Sequence, residues 1–78
     1  MRKSAHTAKY KKLIGALKAA RVARSITQVD LAKRLKRPQS FVAKYEQGER
    51  RLDVIELLTV CDALGVDGFE ILRLVWPD

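Results

Sequence analysis

Hydrophobic positions recur along this chain at helical spacing, and nowhere do they alternate as a half-buried strand requires. From Tyr10 they fall at Tyr10, Leu13, Ile14, Leu17 and Ala20, the i, i+3, i+4, i+7 stripe of an amphipathic helix, with Lys9, Lys11, Lys12 and Lys18 mostly off it. The stripe loosens around Arg24-Ser25-Ile26. A second helix carries Val29, Leu31, Ala32 and Leu35, and a third runs from Gln39 to about Glu46 with Phe41, Val42 and Tyr45 inward. The fourth presents Val54, Ile55, Leu57, Leu58, Val60, Cys61 and Leu64. The fifth spans Gly68 to Trp76. Residues 1–8 lack periodicity and are basic, which predicts a loose arm ahead of one domain, residues 9–78.

Punctuation between these stripes agrees with them. Thr27 followed by Asp30, Asp53 by Glu56, and Asp67 by Glu70 each have capping-box spacing, in which the first side chain accepts from a freed backbone N–H and the second returns the bond. Lys36-Arg37-Pro38 interrupts the second helix, because proline disfavours helical geometry in the residue before it. Pro38 can in turn open the third, where its missing N–H is not needed. Gly48 is expected to end helix three with left-handed backbone, Gly65 to end helix four, and Pro77 stops the fifth. The expectation is an all-α fold of five short helices.

Length and charge narrow the function. At 78 residues the chain forms one domain at most. It carries 16 Lys and Arg against 9 Asp and Glu, a net +7, with 47% hydrophobic residues and only two prolines, which argues against disorder. Residues 1–51 hold 15 of those cations and the acids Asp30, Glu46 and Glu49, a net +12. Residues 52–78 hold Arg73 against six acids, a net −5. A solvated surface is the bland account of a charge run, but so large an asymmetry in one small domain points to a basic face for a polyanion. No apolar run approaches the ~20 residues that span a bilayer, and the basic N-terminus has no apolar stretch behind it, so neither a membrane span nor a secretory signal is expected. The domain is expected in the cytoplasm, associated with the nucleoid.

Helices two and three, with their three- to four-residue break, have the size of a helix-turn-helix, in which the first helix crosses the DNA backbone and the second enters the major groove. Gln39 and Ser40 put short polar side chains on the leading edge of helix three, and Lys44 follows Ser40 at i+4. Gln can bond adenine through two hydrogen bonds, Ser several bases, and Lys guanine. Spacing alone serves an ordinary helical hairpin with a polar outer face equally well.

The segment Leu17–Asp67 resembles the Cro/CI-type helix-turn-helix family of bacterial and phage regulators, also called the xenobiotic-response-element (XRE) family. Three stretches carry the resemblance: Thr27-Gln28-Val29-Asp30-Leu31-Ala32, Tyr45-Glu46-Gln47-Gly48-Glu49-Arg50-Arg51, and Leu57-Leu58-Thr59-Val60-Cys61-Asp62-Ala63-Leu64-Gly65. It implies a lambda-repressor-like domain in which Gln39, Ser40 and Lys44 read bases. It implies too that Gln28, Arg50 and Arg51 hold the DNA backbone and that Arg21 pairs with Glu46 between helices one and three. The chain departs from the family at Lys36, where glycine is common and a positive φ is expected, and at Pro38, where Ser or Thr often caps the recognition helix.

The function so implied is a sequence-specific DNA-binding transcriptional regulator, expected to repress. The alternatives are an antitoxin of a toxin–antitoxin pair with the same fold and a protein-interaction module that binds no DNA. An RNA-binding or membrane-surface domain would need aromatic platforms or exposed large apolar residues on a basic helix. No catalytic set, metal cluster, cofactor or small-molecule effector is indicated. His6 and Ser4 stand in the arm without fixed partners, and the single cysteine, Cys61, reads as a small core residue. Phe41 could pack inward or touch a thymine methyl, and the core is favoured. Six of the eight residues from Phe69 to Trp76 are apolar. Phe69, Leu72 and Trp76 are expected to face the core, leaving Ile71, Leu74 and Val75, with Trp76 at the edge, for a homodimer that binds a palindromic operator.

Overall fold

The computed structural model describes residues 2–77 and the side chains of residues 8–77. Its elements are α1 (Arg2–Ala23), α2 (Gln28–Leu35), α3 (Gln39–Glu46), α4 (Val54–Leu64) and α5 (Gly68–Val75), with no strand among the described residues. Helix α1 begins inside the segment expected as an arm. Residues 2–8 contain neither glycine nor proline to interrupt it. The Ser4 and His6 side chains lie outside the described ones.

The caps explain why α2 and α4 begin where they do. Thr27 Oγ1 accepts from the Asp30 N–H at 3.0 Å while Asp30 accepts from the Thr27 N–H at 3.2 Å. Asp53 and Glu56 form the same reciprocal pair at 2.7 and 3.0 Å. Asp67 caps α5 differently. Its carboxylate accepts from the Phe69 N–H, and no reciprocal bond from Glu70 forms among the described residues. Lys36 ends α2 in the left-handed region, φ 57°, with the Arg37 N–H returning to the Ala32 carbonyl. Pro38 stands just outside α3 as its N-cap and offers no side-chain bond. Gly48 and Gly65 take φ of 80° and 76° at the ends of α3 and α4.

One core joins all five helices. Leu17 of α1, Leu31 of α2, Val42 and Tyr45 of α3, and Val60 and Cys61 of α4 are fully buried, and Ile14, Ile26, Ala32, Phe41, Leu57, Leu64 and Ile71 close round them. Phe41 is therefore a core residue. Its ring meets Tyr45 edge-on, centroids 5.6 Å apart. Arg34 of α2 donates to the Ala63 carbonyl at the C-terminal end of α4 and fastens the two.

Helix α5 is rotated from the expected orientation. Ile71 and Val75, expected on a dimer surface, are buried at 7% and 8% exposure. Phe69, Leu72 and Trp76, expected to face the core, are outward, with Phe69 and Trp76 at 65% and 64% exposure, while Leu74, and Trp76 as a dimer-surface residue, are exposed as expected. Gly68 allows this orientation. A Cβ there would stand 2.7 Å from Leu58 Cδ2, so the backbone of α5 lies directly on α4 at that point. With Gly68 inward, i+3 and i+7 bring Ile71 and Val75 to the same side. Lys9 of α1 fixes the far end. Its ammonium donates to the Val75 carbonyl at 3.3 Å and lies 4.0 Å from the Trp76 ring centre.

Candidate nucleic-acid interface

The turn between α2 and α3 sets the site. Left-handed Lys36 reverses the chain, and α3 starts three residues after it, so the first turns of both helices meet on one side of the domain, where Gln39 bonds Gln28. Gln39, Ser40 and Lys44 are exposed there, while Val42 and Tyr45 on the opposite face of α3 anchor it in the core. Exposed residues flanking α3 add charge: Lys36 and Arg37 before it, Arg51 after it.

A chain of hydrogen bonds runs from the core to this surface. Arg21 of α1 donates through Nε to Glu46 Oε2 at 2.7 Å and through Nη2 to Glu46 Oε1 at 3.1 Å, and its Nη1 donates to the Ile26 carbonyl at 2.8 Å. The two side chains are 11% and 2% exposed. The hydrogen bond to Glu46 raises the Arg21 pKa, so the guanidinium stays charged despite its burial. Gln28 Nε2 donates to Glu46 Oε1 at 3.0 Å, and Gln39 Nε2 donates to Gln28 Oε1 at 3.2 Å. An amide nitrogen has two hydrogens, so Gln28 and Gln39 each retain one donor for an external acceptor. The orientation of both amides is thus set from Glu46 outward.

The backbone-holding residues expected from the sequence are not alike. Gln28 lies at the first position of α2 inside the chain just described. Arg51 is exposed, with its guanidinium 4.3 Å from the Tyr10 ring centre; the Tyr10 hydroxyl in turn accepts from the Leu52 N–H. Arg50 is occupied. It donates to both carboxylate oxygens of Glu56 at 2.9 Å and to the Arg51 carbonyl. Arg50 first, and then the Asp53 N–H, hold the Glu56 carboxyl down to about 2. Arg37 completes this corner, its guanidinium 4.1 Å from the Phe41 ring centre. The sequence reading did not single out Arg37. Its place beside Pro38 in the basic half of the chain was the available signal.

Among the described residues no three His, Cys, Asp or Glu side chains gather as a metal site would require, and no helix is long and apolar enough to cross a membrane. Cys61 is buried in the core, where desolvation pushes its thiol up.

Comparison with known proteins agrees with this geometry. The helix-turn-helix family model HTH_3 matches residues 17–71, from the middle of α1 into α5. Among solved structures, an XRE-family like protein from Pseudomonas syringae pv. tomato str. DC3000 is 47% identical, with a TM-score of 0.94 over 97% of this chain and 93% of that one. A point mutant of the restriction-modification controller protein C.Esp1396I is 22% identical, with a TM-score of 0.79 over 88% of this chain and 87% of that one, a likeness of fold. Among curated proteins there is no significant match. The family match takes in both helices of the motif, the turn between them and the loop that follows, and the chain therefore belongs to the XRE-type helix-turn-helix family of DNA-binding transcriptional regulators.

Proposed function

We propose that the protein is a repressor that binds a palindromic operator as a homodimer and reads each half-site with α3. The observation that carries this reading is the presentation of Gln39, Ser40 and Lys44 on the open side of α3, with the Gln39 amide aimed by the Arg21–Glu46–Gln28 chain. A glutamine fixed in one orientation offers a donor and an acceptor in a set order, which suits the N6 and N7 edge of adenine. Gln28 at the start of α2 and Arg51 after α3 hold the DNA backbone, the former helped by the positive end of its helix.

Two copies related by a two-fold axis would set their recognition helices about 34 Å apart, one turn of DNA. The apolar stripe Phe69, Leu72 and Trp76 supplies a self-complementary contact. Occupancy of such a site by a dimer excludes other proteins from it, which is repression without any further domain.

The test is selection of bound sequences from a random DNA pool, with wild type and with Gln39→Ala. Wild type is expected to enrich an inverted repeat. Gln39→Ala is expected to lose about 1–3 kcal/mol on that repeat and to relax one base position in each half. An unchanged base preference would remove Gln39, and with it α3, from the readout.

A further inference from the structure

Two arginines bracket α3, Arg37 in the turn before it and Arg50 in the loop after it. Both guanidiniums lie against one ring, 4.1 Å and 4.8 Å from the centre of Phe41. Glu56, from the first turn of α4, faces both, but it treats them differently. Arg50 donates to each of its carboxylate oxygens at 2.9 Å, the two-pronged geometry that suits guanidinium and carboxylate. Arg37 Nη2 stands 3.8 Å from Oε2, an ion-pair distance and not a hydrogen bond. Glu56 Oε1 also accepts from the Asp53 N–H. The carboxylate is therefore filled by Arg50 and the α4 cap. Arg50 has committed both hydrogens of Nη1, one to Glu56 and one to the Arg51 carbonyl, and one hydrogen of Nη2. Arg37 donates no hydrogen bond among the described residues, and its side chain is 41% exposed.

We propose that Glu56 is a positioning residue for DNA binding: it holds Arg50 away from the DNA backbone and leaves Arg37, stacked on Phe41 beside the start of α3, as the guanidinium that takes a phosphate. This rests on α3 being the recognition helix, and it reassigns Arg50 from phosphate contact to bracing the loop after α3. A phosphodiester at Arg50 would find three of its five N–H donors taken and its charge already paired with the Glu56 carboxylate, a like charge to the phosphate. Arg37 offers the same fork with all five N–H donors uncommitted among the described residues, and only the longer 3.8 Å ion pair to Glu56 beside it. Glu56 so leaves only one of the two guanidiniums on Phe41 for a phosphate, and it restrains sequence-independent binding.

The experiment measures the slope of log affinity against log salt for the full chain on one fixed duplex of mixed sequence, with thermal unfolding run alongside. Wild type is compared with Arg37→Ala, Arg50→Ala and Glu56→Gln. Glutamine serves the capping box as glutamate does, so Glu56→Gln removes the charge and keeps the α4 cap. Arg37→Ala is expected to make the slope shallower by about 0.9, one phosphate contact, and Glu56→Gln steeper by about 0.9 as Arg50 becomes free. Arg50→Ala is expected to lower the unfolding temperature and leave the slope unchanged. If Arg50→Ala fails to fold, the other two variants decide. A steep wild-type line with either of those slopes unchanged overturns the proposal alone. A flat wild-type line overturns the DNA-reading assignment of α3 and the proposal with it.

Discussion

Lys36 shows how one residue records a compromise between fold and composition. Its φ of 57° lies where the Cβ of an L-residue crowds the backbone, at about 1–2 kcal/mol. Glycine escapes that crowding but loses about 0.5–1 kcal/mol more in chain entropy on folding. Lys36→Gly is therefore expected to stabilise the domain by about 0.5–1 kcal/mol, read from the midpoint of urea unfolding. A loss would mean that the lysine side chain contributes more than the strain costs. Glu56 gives a second prediction at this scale. Its carboxyl is pulled from 4.5 down to about 2 by Arg50 and the Asp53 N–H, so folding favours its charged form. A depressed carboxylate contributes stability that is complete above about pH 4.5 and is lost as the pH falls through about 2. Thermal unfolding across that range should fall less steeply for Glu56→Gln than for wild type. Parallel curves would mean that the Arg50 pair persists in the unfolded chain or adds nothing. Both residues were partly legible in the sequence. The resemblance to a family that often has glycine at this turn pointed to positive φ at Lys36, and Asp53-to-Glu56 spacing announced the cap. The grip of Glu56 on Arg50 was not legible, because it depends on how the loop of residues 47–53 folds back, and no periodicity describes a loop.

At the scale of elements, strength of pattern decides what a sequence reveals. Helices α2 and α4 have reciprocal caps at both expected positions, and they form where spacing places them. Helix α5 puts its two charged residues, Glu70 and Arg73, on one side, and the buried Ile71 and Val75 lie opposite them, so the rotation was legible in the charged positions and not in the number of apolar ones. Gly68 lies on the same inward side, where an added Cβ would stand 2.7 Å from Leu58 Cδ2, so it lets α5 sit close on α4 in that orientation. The link between α1 and α3 is a further case. Arg21 and Glu46 are 25 residues apart, and only the resemblance to a family suggested that they meet. Glu46 now accepts two bonds from Arg21 and one from Gln28 while 2% of its side chain is exposed. Arg21→Met strands that carboxylate and is expected to cost about 3–5 kcal/mol, as removal of one partner from a buried pair does. Adding Glu46→Leu removes the stranded charge, so the double variant should be much less destabilised than the sum of the singles. Additive losses in denaturant unfolding would show that the two side chains do not act as one unit.

The molecule as a whole separates its tasks along the chain. The first 51 residues carry the net +12 and the polar edge of α3, and the last 27 carry the net −5 and the apolar stripe of α5. In the function proposed, salt and sequence are felt at one part and self-association at the other. The rotation of α5 changes which residues test that second task. Phe69, Leu72 and Trp76 recur at i, i+3, i+7 on one exposed side, whereas Ile71 and Val75 complete the core of each protomer. Charge placed on these two faces must therefore act differently. Val75→Asp buries a carboxylate without a partner and is expected to unfold the protomer, so it says nothing about dimers. Leu72→Asp leaves the core intact and places two like charges across a two-fold axis if the stripe is the contact. It is expected to sediment as a folded monomer where wild type sediments as a dimer, with its unfolding no longer dependent on protein concentration. On DNA, it should bind a palindrome no more tightly than a single half-site, since the coupling between the two recognition helices is gone. Equal sedimentation of wild type and Leu72→Asp, with both favouring the palindrome to the same extent, would place the dimer contact elsewhere on the domain.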